Sequence, residues 1–377
     1  MTASAERIRL LVAAGGTGGH VYPGVAIAEE WRRRHPDSEV VFVGTGRGLE
    51  TKVVPQAGFP LRTIGVRGFP RRSPFGMVRA AWALLKSLVQ ASRLIREVKP
   101  HLVVGTGGYV SGPVVLLARL AGIPVAIQEQ NSVPGSTNRW LSLIADQVHI
   151  SFIESRNYFR RRNNLKVSGN PIRRSLVQQD RDSAYSVLGL DPSRRTLFVF
   201  GGSRGARSIN HAVAGALPLL TGIPDLQVLW QTGEEDRAEM VERVKGVRFP
   251  VRVVAYLDTI EKAYAVADLV ICRAGAMTIA EITACGVPAI LVPYPYATHD
   301  HQTHNARGLA ERGAAEMIAD RDLTAEELRR RVEALFRDEA RRRSLGRKAR
   351  AFARTDAAQR IVLSLESLLK LGTEDGA

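Results

Sequence analysis

Short apolar runs alternate with helix-length amphipathic segments along most of this chain. The runs are the predicted strands, and they occupy residues 9–13, 39–43, 101–104, 125–128 and 147–150, then 196–200, 226–231, 251–255, 268–272 and 288–292. Nearly continuous apolar strands separated by helices are typical of parallel sheets covered on both faces. The pattern therefore predicts an α/β protein with two doubly wound, Rossmann-like sheets.

A polar and basic stretch over residues 154–182 separates the two sets of strands. A chain of 377 residues is long enough for two domains with separate cores. We therefore place residues 1–172 in a first domain and 173–354 in a second. Helices should fill the end of the second domain, starting at a capping box formed by Thr324 and Glu327.

Glycine-rich turns directly follow three of the predicted strands, at residues 15–19, 105–108 and 201–205. A backbone without Cβ atoms can approach a phosphate closely, and a helix behind it presents free N–H groups. A single such turn is often only a tight connection, but three in matching positions favour a phosphorylated ligand held between the two domains. The Ser203 hydroxyl in the third turn is a candidate phosphate ligand.

The turns lack the patterns of two common nucleotide-binding classes. None has G-x-G-x-x-G spacing, residues 44–47 replace the acid that would bind a ribose in a dinucleotide enzyme, and G-x-x-x-x-G-K-[ST] is absent. A sugar nucleotide fits better. Glu281, about one turn into a predicted helix, is a candidate for accepting hydrogen bonds from a ribose diol. The helix dipole alone would also favour an acid there.

Composition indicates a globular protein with an anionic partner, because the formal net charge is +16 and the pI is near 10.5. Nucleic-acid-binding motifs are absent, so no nucleic-acid partner is predicted. No apolar run reaches the roughly 18 residues that span a bilayer, and the first nine residues lack a secretory signal. Cys272 and Cys285 look like packing residues and give no disulfide framework, which favours a reducing cytoplasm.

Three histidines lie close together after the last predicted strand, at His299, His301 and His304, with Asp300 among them. Their spacing lacks a strong zinc signature. We therefore predict no metal site and interpret this segment as a polar sugar-binding loop.

Taken together, these motifs resemble the MurG family, bacterial enzymes that transfer GlcNAc from UDP-GlcNAc to undecaprenyl-diphosphate-linked MurNAc-pentapeptide to form lipid II. The resemblance covers nearly the whole chain and rests on residues 15–20, 44–50, 105–113, 129–131, 169–173, 201–206, 275–281, 300–302 and 305–306. It implies a GT-B fold, an inverting reaction without metal or cofactor, and a peripheral enzyme on the cytoplasmic face of the inner membrane. It also implies that the last helix, about 355–377, packs back onto the first domain.

The resemblance assigns the donor contacts residue by residue. The Leu257 backbone would contact uracil, and Gln302 would contact the sugar hydroxyls. The residues expected by the donor are Thr17, Gly18, Gly19, Asn131, Arg173 and Ser203. The residues expected along the nucleotide are Ala276, Met277, Thr278, Ile279, Ala280 and Glu281. Arg204 departs from the family pattern, which usually has glutamine there. This departure leaves open whether the side chain is neutral toward the diphosphate.

An inverting transfer needs a base for the acceptor 4-hydroxyl, which would attack C1 of GlcNAc from the face opposite UDP. His20, at the end of the first glycine turn, is the favoured candidate because histidine exchanges protons readily near neutral pH. It could instead only hydrogen-bond the loop or substrate. Glu129 is the alternative base.

A lipid-tethered acceptor requires the first domain to meet an anionic phospholipid surface. Apolar and basic side chains alternate over residues 69–96, several of them at helical spacing. The predicted membrane patch consists of Phe75, Met77, Trp82, Arg79, Lys86 and Arg93. The alternative is a helix that covers the sheet with its charges in water.

Three rival functions remain at this stage. A related transferase that glycosylates diacylglycerol would differ in its acceptor. A sugar-nucleotide epimerase would share the donor site but need no lipid, and a nucleic-acid binder is supported by charge alone. The predicted partners are UDP-GlcNAc, the lipid-linked acceptor and the membrane, with cell-wall synthesis proteins as further candidates.

Overall fold

The computed structural model describes residues 7–66, 74–297 and 300–371, without the side chains of residues 74–81, 83 and 84. The chain divides into two compact units. Unit 1 comprises Met1–Arg173 and Thr355–Ala377, and unit 2 comprises Arg174–Arg354. The units therefore meet in sequence one residue after the boundary placed from the sequence, and the last helix belongs to unit 1.

Unit 1 contains a seven-stranded sheet in the order β3-β2-β1-β4-β5-β6-β7, and every pair recorded in it is parallel. Its strands are β1 (Arg9–Ala14), β2 (Glu39–Thr45), β3 (Leu61–Ile64), β4 (Leu102–Gly107), β5 (Val125–Glu129), β6 (Gln147–Ile150) and β7 (Leu165–Val167). The order reverses direction between β1 and β4. Doubly wound sheets bind ligands at the carboxyl ends of strands near such a reversal.

Helices cover both faces of this sheet, and each face has its own apolar core. They are α1 (Gly18–Arg34), α2 (Glu50–Gln56), α3 (Pro74–Val98), α4 (Ser111–Leu120), α5 (Ser136–Leu141) and, after unit 2, α14 (Ala357–Leu368). Trp31, Phe42 and Ile361 are fully buried in one core, whereas Ile127 and Val114 are fully buried in the other. Burial on both faces explains why these strands read as continuous apolar runs.

Unit 2 repeats the architecture with a parallel six-stranded sheet in the order β10-β9-β8-β11-β12-β13. Its strands are β8 (Arg195–Phe200), β9 (Leu226–Gln231), β10 (Val251–Val254), β11 (Leu269–Cys272), β12 (Ala289–Leu291) and β13 (Glu316–Met317). Its helices are α6 (Arg181–Leu188), α7 (Arg207–Ala216), α8 (Glu234–Arg243), α9 (Ile260–Val266), α10 (Ala276–Cys285), α11 (His301–Ala310), α12 (Ala325–Arg337) and α13 (Glu339–Ala351).

The ten strands predicted from the sequence are confirmed, but three edge strands were missed. The missed strands β3, β7 and β13 are only four, three and two residues long. Edge strands this short bury too little apolar surface to leave a clear run in the sequence. The predicted capping box is also confirmed, since the Thr324 side chain accepts a hydrogen bond from the Glu327 amide.

Helix α14 is tied to α1 by a partly buried ion pair within unit 1. The Arg34 guanidinium donates to both carboxylate oxygens of Glu366, at 2.6 and 2.9 Å, and His35 Nε2 lies 2.8 Å from Oε1. Burial opposes the charged form of Glu366, but the Arg34 and His35 contacts outweigh it and lower the pKa of this carboxyl. Across the described helices, none is both long enough and apolar enough to cross a membrane.

We predict that Glu366→Gln destabilises the protein by about 1–3 kcal/mol, because a partly buried hydrogen-bonded charge pair loses one partner. Since the pKa of Glu366 is lowered in the folded state, its stabilisation is fully present above the unfolded value of 4.5 and is lost as pH falls through the folded value. Urea unfolding at pH 7 and pH 3.5 tests this.

The matched control is Glu339→Gln, which removes an exposed pair with Arg343 and should cost no more than about 0.5 kcal/mol. An equal, pH-independent loss of stability in both variants would contradict the assignment.

Candidate functional site

Two glycine turns of unit 1 pack backbone against backbone at the carboxyl ends of β1 and β4. A Cβ added to Gly108 would overlap the carbonyl oxygen of Gly15. Gly108 also has a φ of 79°, which only glycine adopts without strain. Glycine is therefore required here by the contact between the turns.

The carboxylate of Glu50 holds the first turn in place. This side chain is fully buried and accepts hydrogen bonds from the amides of Gly16 and Thr45, at 3.0 and 2.8 Å, and from the Thr45 hydroxyl at 2.5 Å. A Cβ at Gly44 or Gly48 would collide with the Glu50 side chain. Gly44 and Gly48 thus make room for the acid, a role that the sequence analysis did not assign.

His20, the candidate base, lies in the first turn of α1 and is half-buried. Its backbone carbonyl accepts a 2.7 Å hydrogen bond from the Thr106 hydroxyl, and its Nδ1 lies 3.2 Å from Oε1 of Gln130. Thr106 therefore holds the backbone of His20, and Gln130 contacts its ring. Gln130 was missed as a site residue, although it stands between two predicted ones.

Glu129, the alternative base, is placed unfavourably for that role. It is 1% exposed, and its two oxygens accept from the Asn131 amide and side chain, the Gly135 amide and the Asn138 side chain, at 2.9 to 3.1 Å. A carboxylate offers about four lone-pair positions, and four donors occupy them. Glu129 therefore orders the loop that carries Asn131, and its role as the alternative base stays a prediction.

The other unit 1 residues expected near the donor lie around the first turn. Thr17 is exposed and precedes α1, which begins with Gly18 and Gly19. The Thr17 side chain makes no capping hydrogen bond to the helix. The guanidinium of Arg173 lies 5.0 Å from the centre of the Tyr22 ring, at cation–π distance.

The glycine turn of unit 2 is held by Gln231 at the end of β9. Its Nε2 donates to the Gly202 carbonyl and its Oε1 accepts from the Leu257 amide, both at 2.9 Å. Gly205 lies so close to the Thr232 carbonyl that a Cβ would overlap it. A buried polar residue at the carboxyl end of a strand, beside a glycine turn, is the sequence signal that could have identified Gln231.

These contacts correct two details of the expected donor site. The Leu257 amide is already bonded, so only its carbonyl is left for a base edge. Ser203 and Arg204 are exposed, but the following helix begins only at Arg207, and the Gly205 amide donates to Gly202. A phosphate near Ser203 would therefore meet a turn, with the helix start farther along the chain.

Glu281 is buried on α10 and receives a 3.0 Å hydrogen bond on Oε2 from the hydroxyl of Tyr264 on α9. Burial, and then the charge of Glu281, raises the pKa of Tyr264 well above its ordinary value, so the phenol keeps its proton. Burial and the same carboxylate raise the pKa of Cys272, and that of Cys285 to about 12. These thiols are packing groups, as expected from the sequence.

The remaining predicted nucleotide contacts divide by burial. Ala276, Met277 and Ile279 are buried, whereas Thr278 and Ala280 are half-buried. Gln302, half-buried in the first turn of α11, accepts a 3.0 Å hydrogen bond from the Tyr294 amide. That bond fixes the side-chain orientation, with Nε2 left to donate.

A buried arginine links the loops of unit 2 and was also missed. Arg273 donates to Asp320, to the Ser208 hydroxyl and to the carbonyls of Val292 and Pro293. It thereby joins the start of α7 to the segments after β11 and β12. Arginine directly after a buried strand was the available signal.

The histidines after the last strand lie partly outside the described residues. No set of three His, Cys, Asp or Glu side chains among those residues is arranged to hold an ion. His299 lies outside the described residues, while His301 and His304 lie in the first turn of α11.

The membrane patch is described only in part. Trp82 on α3 is 71% exposed, and Lys86 and Arg93 are exposed on the same helix. The side chains of Phe75, Met77 and Arg79 lie outside the described ones. Leu85 on α3 is also exposed, and exposed apolar side chains that were not predicted occur on α3, α4 and α5: Val89, Leu116, Leu120 and Trp140.

Two family models match the chain. The glycosyltransferase family 28 N-terminal domain matches residues 10–150, and the family 28 C-terminal domain matches residues 196–361. The first match lies within unit 1, and the second covers most of unit 2 and extends into the start of α14, which belongs to unit 1.

Known proteins agree over nearly the full length. A Syntrophus aciditrophicus protein named UDP-N-acetylglucosamine--N-acetylmuramyl-(pentapeptide) pyrophosphoryl-undecaprenol N-acetylglucosamine transferase is 44% identical over 97% of this chain and 99% of its own. The crystal structure of Acinetobacter baumannii MurG superposes with a TM-score of 0.72 at 32% identity, covering 96% of this chain and 99% of that one.

The fold is shared more widely than the family. A putative UDP-N-acetylglucosamine 2-epimerase from Listeria monocytogenes superposes with a TM-score of 0.69 over 97% of both chains, but at 14% identity it shows only the fold. The fold is GT-B, as the resemblance implied. On the full-length identities and both family 28 domains, this chain belongs to the MurG family of glycosyltransferases.

Proposed function

We propose that this chain transfers GlcNAc from UDP-GlcNAc to the 4-hydroxyl of lipid-linked MurNAc-pentapeptide, forming lipid II for peptidoglycan synthesis. The observation that carries the proposal is the 44% identity, over 97% of the chain, to a protein named as this transferase. The proposal is also supported by Glu281, the glycine turns and His20, because each of these supplies one requirement of sugar transfer from a nucleoside diphosphate.

Unit 2 would bind the donor nucleotide. Glu281 is an acceptor oriented by Tyr264, as a ribose diol requires. The side-chain amide of Gln231 binds the Leu257 loop through its oxygen and the Ser203 turn through its nitrogen. Because one amide makes both contacts, it would keep the uracil and diphosphate contacts at a fixed separation. Gln302, oriented through the Tyr294 amide, would donate to the GlcNAc hydroxyls.

The transfer would proceed in one displacement. As the acceptor oxygen bonds to C1, the bond between C1 and the UDP oxygen breaks, UDP leaves with the electron pair, and His20 takes the hydroxyl proton. Developing charge on UDP would be stabilised by the Ser203 hydroxyl, amides of its turn and Arg173, and such preorganised donors contribute about 3–4 kcal/mol each. Thr17, Gly18, Gly19 and Asn131 are the further residues that the family resemblance assigns to the donor.

The lipid-linked acceptor would reach the enzyme at an anionic membrane surface on the cytoplasmic side. On α3, Trp82, Leu85 and Val89 follow one another at helical spacing and are more than half exposed. Lys86 and Arg93 stand exposed one heptad apart on the same helix. Apolar groups with adjacent cations suit insertion between anionic headgroups.

The deciding experiment combines purified protein, UDP-GlcNAc and a short-chain analogue of the lipid-linked acceptor. We expect UDP release only when the acceptor is present, and a β-1,4-linked disaccharide product by NMR. Formation of UDP-ManNAc without acceptor would point to an epimerase, and transfer to diacylglycerol instead would point to the other rival. Either outcome would overturn the proposal.

For the donor site, we predict that Glu281→Gln raises KM for UDP-GlcNAc by roughly 10-fold or more with a smaller change in kcat. A ribose contact is made in both ground and transition states, and a hydrogen bond to a charged group contributes about 1.5–3 kcal/mol. A donor lacking the ribose 2′-hydroxyl should impair the wild type more than the variant.

Tyr264→Phe should shift KM in the same direction by less, because the carboxylate remains but is no longer oriented. Tyr185→Phe is the matched control, since it deletes another buried phenol in unit 2 that bonds Arg181. A collapse of kcat with unchanged KM in Glu281→Gln would remove the acid from ribose binding.

For the membrane surface, we predict that Lys86→Glu with Arg93→Glu weakens binding to phosphatidylglycerol vesicles by about 10-fold or more, at about 1 kcal/mol per basic residue. Wild-type binding should fall with salt, because the Debye length shrinks from about 8 Å to about 3 Å between physiological ionic strength and 1 M. Turnover of a soluble acceptor should be spared.

Arg347→Glu with Arg354→Glu gives the same change in net charge on exposed residues of unit 2 and should leave vesicle binding intact. Equal binding by the wild type and the α3 variant at low salt would mean that this stripe is a solvated helix face.

A further inference from the structure

The amide of Gln130 is oriented by oxygen atoms that can only accept hydrogen bonds. Its side chain is 2% exposed, and Nε2 donates to the carbonyls of Thr106 at 2.6 Å and Gln128 at 3.3 Å. Nε2 also donates to Oε1 of Gln128. With three acceptors on the nitrogen side, the carbonyl oxygen of Gln130 is turned toward Nδ1 of His20, 3.2 Å away.

The opposite amide orientation is excluded by its partners. It would set the Gln130 oxygen against three other oxygens, two of them backbone carbonyls that have no proton to give. Leaving a buried amide without its hydrogen bonds costs about 1–3 kcal/mol per group.

The next members of the network are fixed in the same sense. Gln128 donates from Nε2 to the Ser151 hydroxyl at 3.1 Å and to Oδ1 of Asn170 at 3.3 Å. The single hydroxyl proton of Ser151 has two acceptors within reach, Asn170 Oδ1 and the Glu129 carbonyl, so a lone pair faces Gln128. Asn170 donates from Nδ2 to the Gln130 carbonyl at 3.0 Å.

We infer that Gln130 is a positioning residue that fixes the tautomer of neutral His20, with the proton on Nδ1 and the lone pair on Nε2. An amide oxygen can only accept, so the Nδ1 atom facing it must donate. The inference deepens the proposed function, because a base that takes the acceptor proton needs its lone pair on the nitrogen that reaches the substrate.

The shape around the ring points to the same nitrogen. A Cβ added to Gly107 would overlap Nδ1 of His20, so the backbone of the second glycine turn covers that edge of the imidazole. Nε2 is the atom left for a substrate. On proton transfer Nε2 gains the acceptor proton, and Nδ1 keeps its own proton on Gln130, which stabilises the imidazolium.

The test is ¹⁵N NMR of the full chain labelled at histidine, with His20→Ala used to assign the signals of His20. Protonated and unprotonated ring nitrogens resonate far apart, so the spectrum of the neutral ring reports the tautomer directly. We expect protonated Nδ1 and unprotonated Nε2 in the wild type. In Gln130→Leu the population should shift toward the Nε2–H form that neutral histidine favours in water.

Gln147→Leu is the matched control, since it deletes another buried amide of the same sheet and should leave the His20 signals unchanged. Protonated Nε2 in the wild type would overturn the inference without any variant. An unchanged tautomer in a folded Gln130→Leu would do the same.

Kinetics separate this inference from the base assignment. Gln130→Leu should lower kcat by roughly 10- to 100-fold, since general-base catalysis contributes about 10²–10⁴-fold, with KM for UDP-GlcNAc changed less than about 2-fold. If His20→Ala retains kcat while the NMR shows the Nδ1–H tautomer, the base role fails and the tautomer assignment stands. If His20→Ala loses kcat and the NMR shows the Nε2–H tautomer, the base role stands and the tautomer assignment fails.

Discussion

The buried carboxylate of Glu50 is the constraint on which the unit 1 site depends. It satisfies the amides of Gly16 and Thr45 and the Thr45 hydroxyl in a space that solvent does not reach. Buried amides need such partners, and here one acid provides them for two strand ends. The first turn then lies close enough to Gly108 for backbone contact, and His20 follows directly on α1.

Buried polar side chains that hold a loop or orient a neighbouring side chain occur in both units. Glu129 orders the Asn131 loop through four donors, and Gln231 ties the unit 2 turn to the Leu257 loop. Tyr264 orients Glu281. In the first two cases a buried polar side chain at a strand end is bound by the backbone or a neighbouring side chain, and in the third a buried phenol on α9 binds an acid on α10. The proposed function assigns the substrate contacts to His20, Glu281 and Gln302. Preorganisation of this kind reduces the motion that bound substrates would otherwise have to induce.

The central strands could be predicted from the sequence because parallel strands inside a sheet must be apolar on both faces. The strands β3, β7 and β13 were missed because short edge strands need not be apolar on both faces. Residue type and position at strand ends also located His20, Glu281 and the glycine turns. The sequence could not show that the oxygens of Glu50 and Glu129 are bound by internal donors, because those contacts form only in the fold. It therefore could not separate these acids from Glu281, to which the proposed function assigns the ribose. The orientation of Gln130 likewise depends in part on the carbonyl of Thr106, which is distant along the chain.

Replacing Glu50 tests the account most directly. In Glu50→Gln, an NH₂ group that cannot accept must face donors that all require an acceptor, so the first turn and His20 should shift. A misplacement near 1 Å costs about 100-fold in rate, and we predict that kcat for GlcNAc transfer at saturating UDP-GlcNAc falls by about that factor while circular dichroism shows a folded protein. A folded Glu50→Gln enzyme with wild-type kcat would contradict the claim that this carboxylate holds the catalytic turn in place.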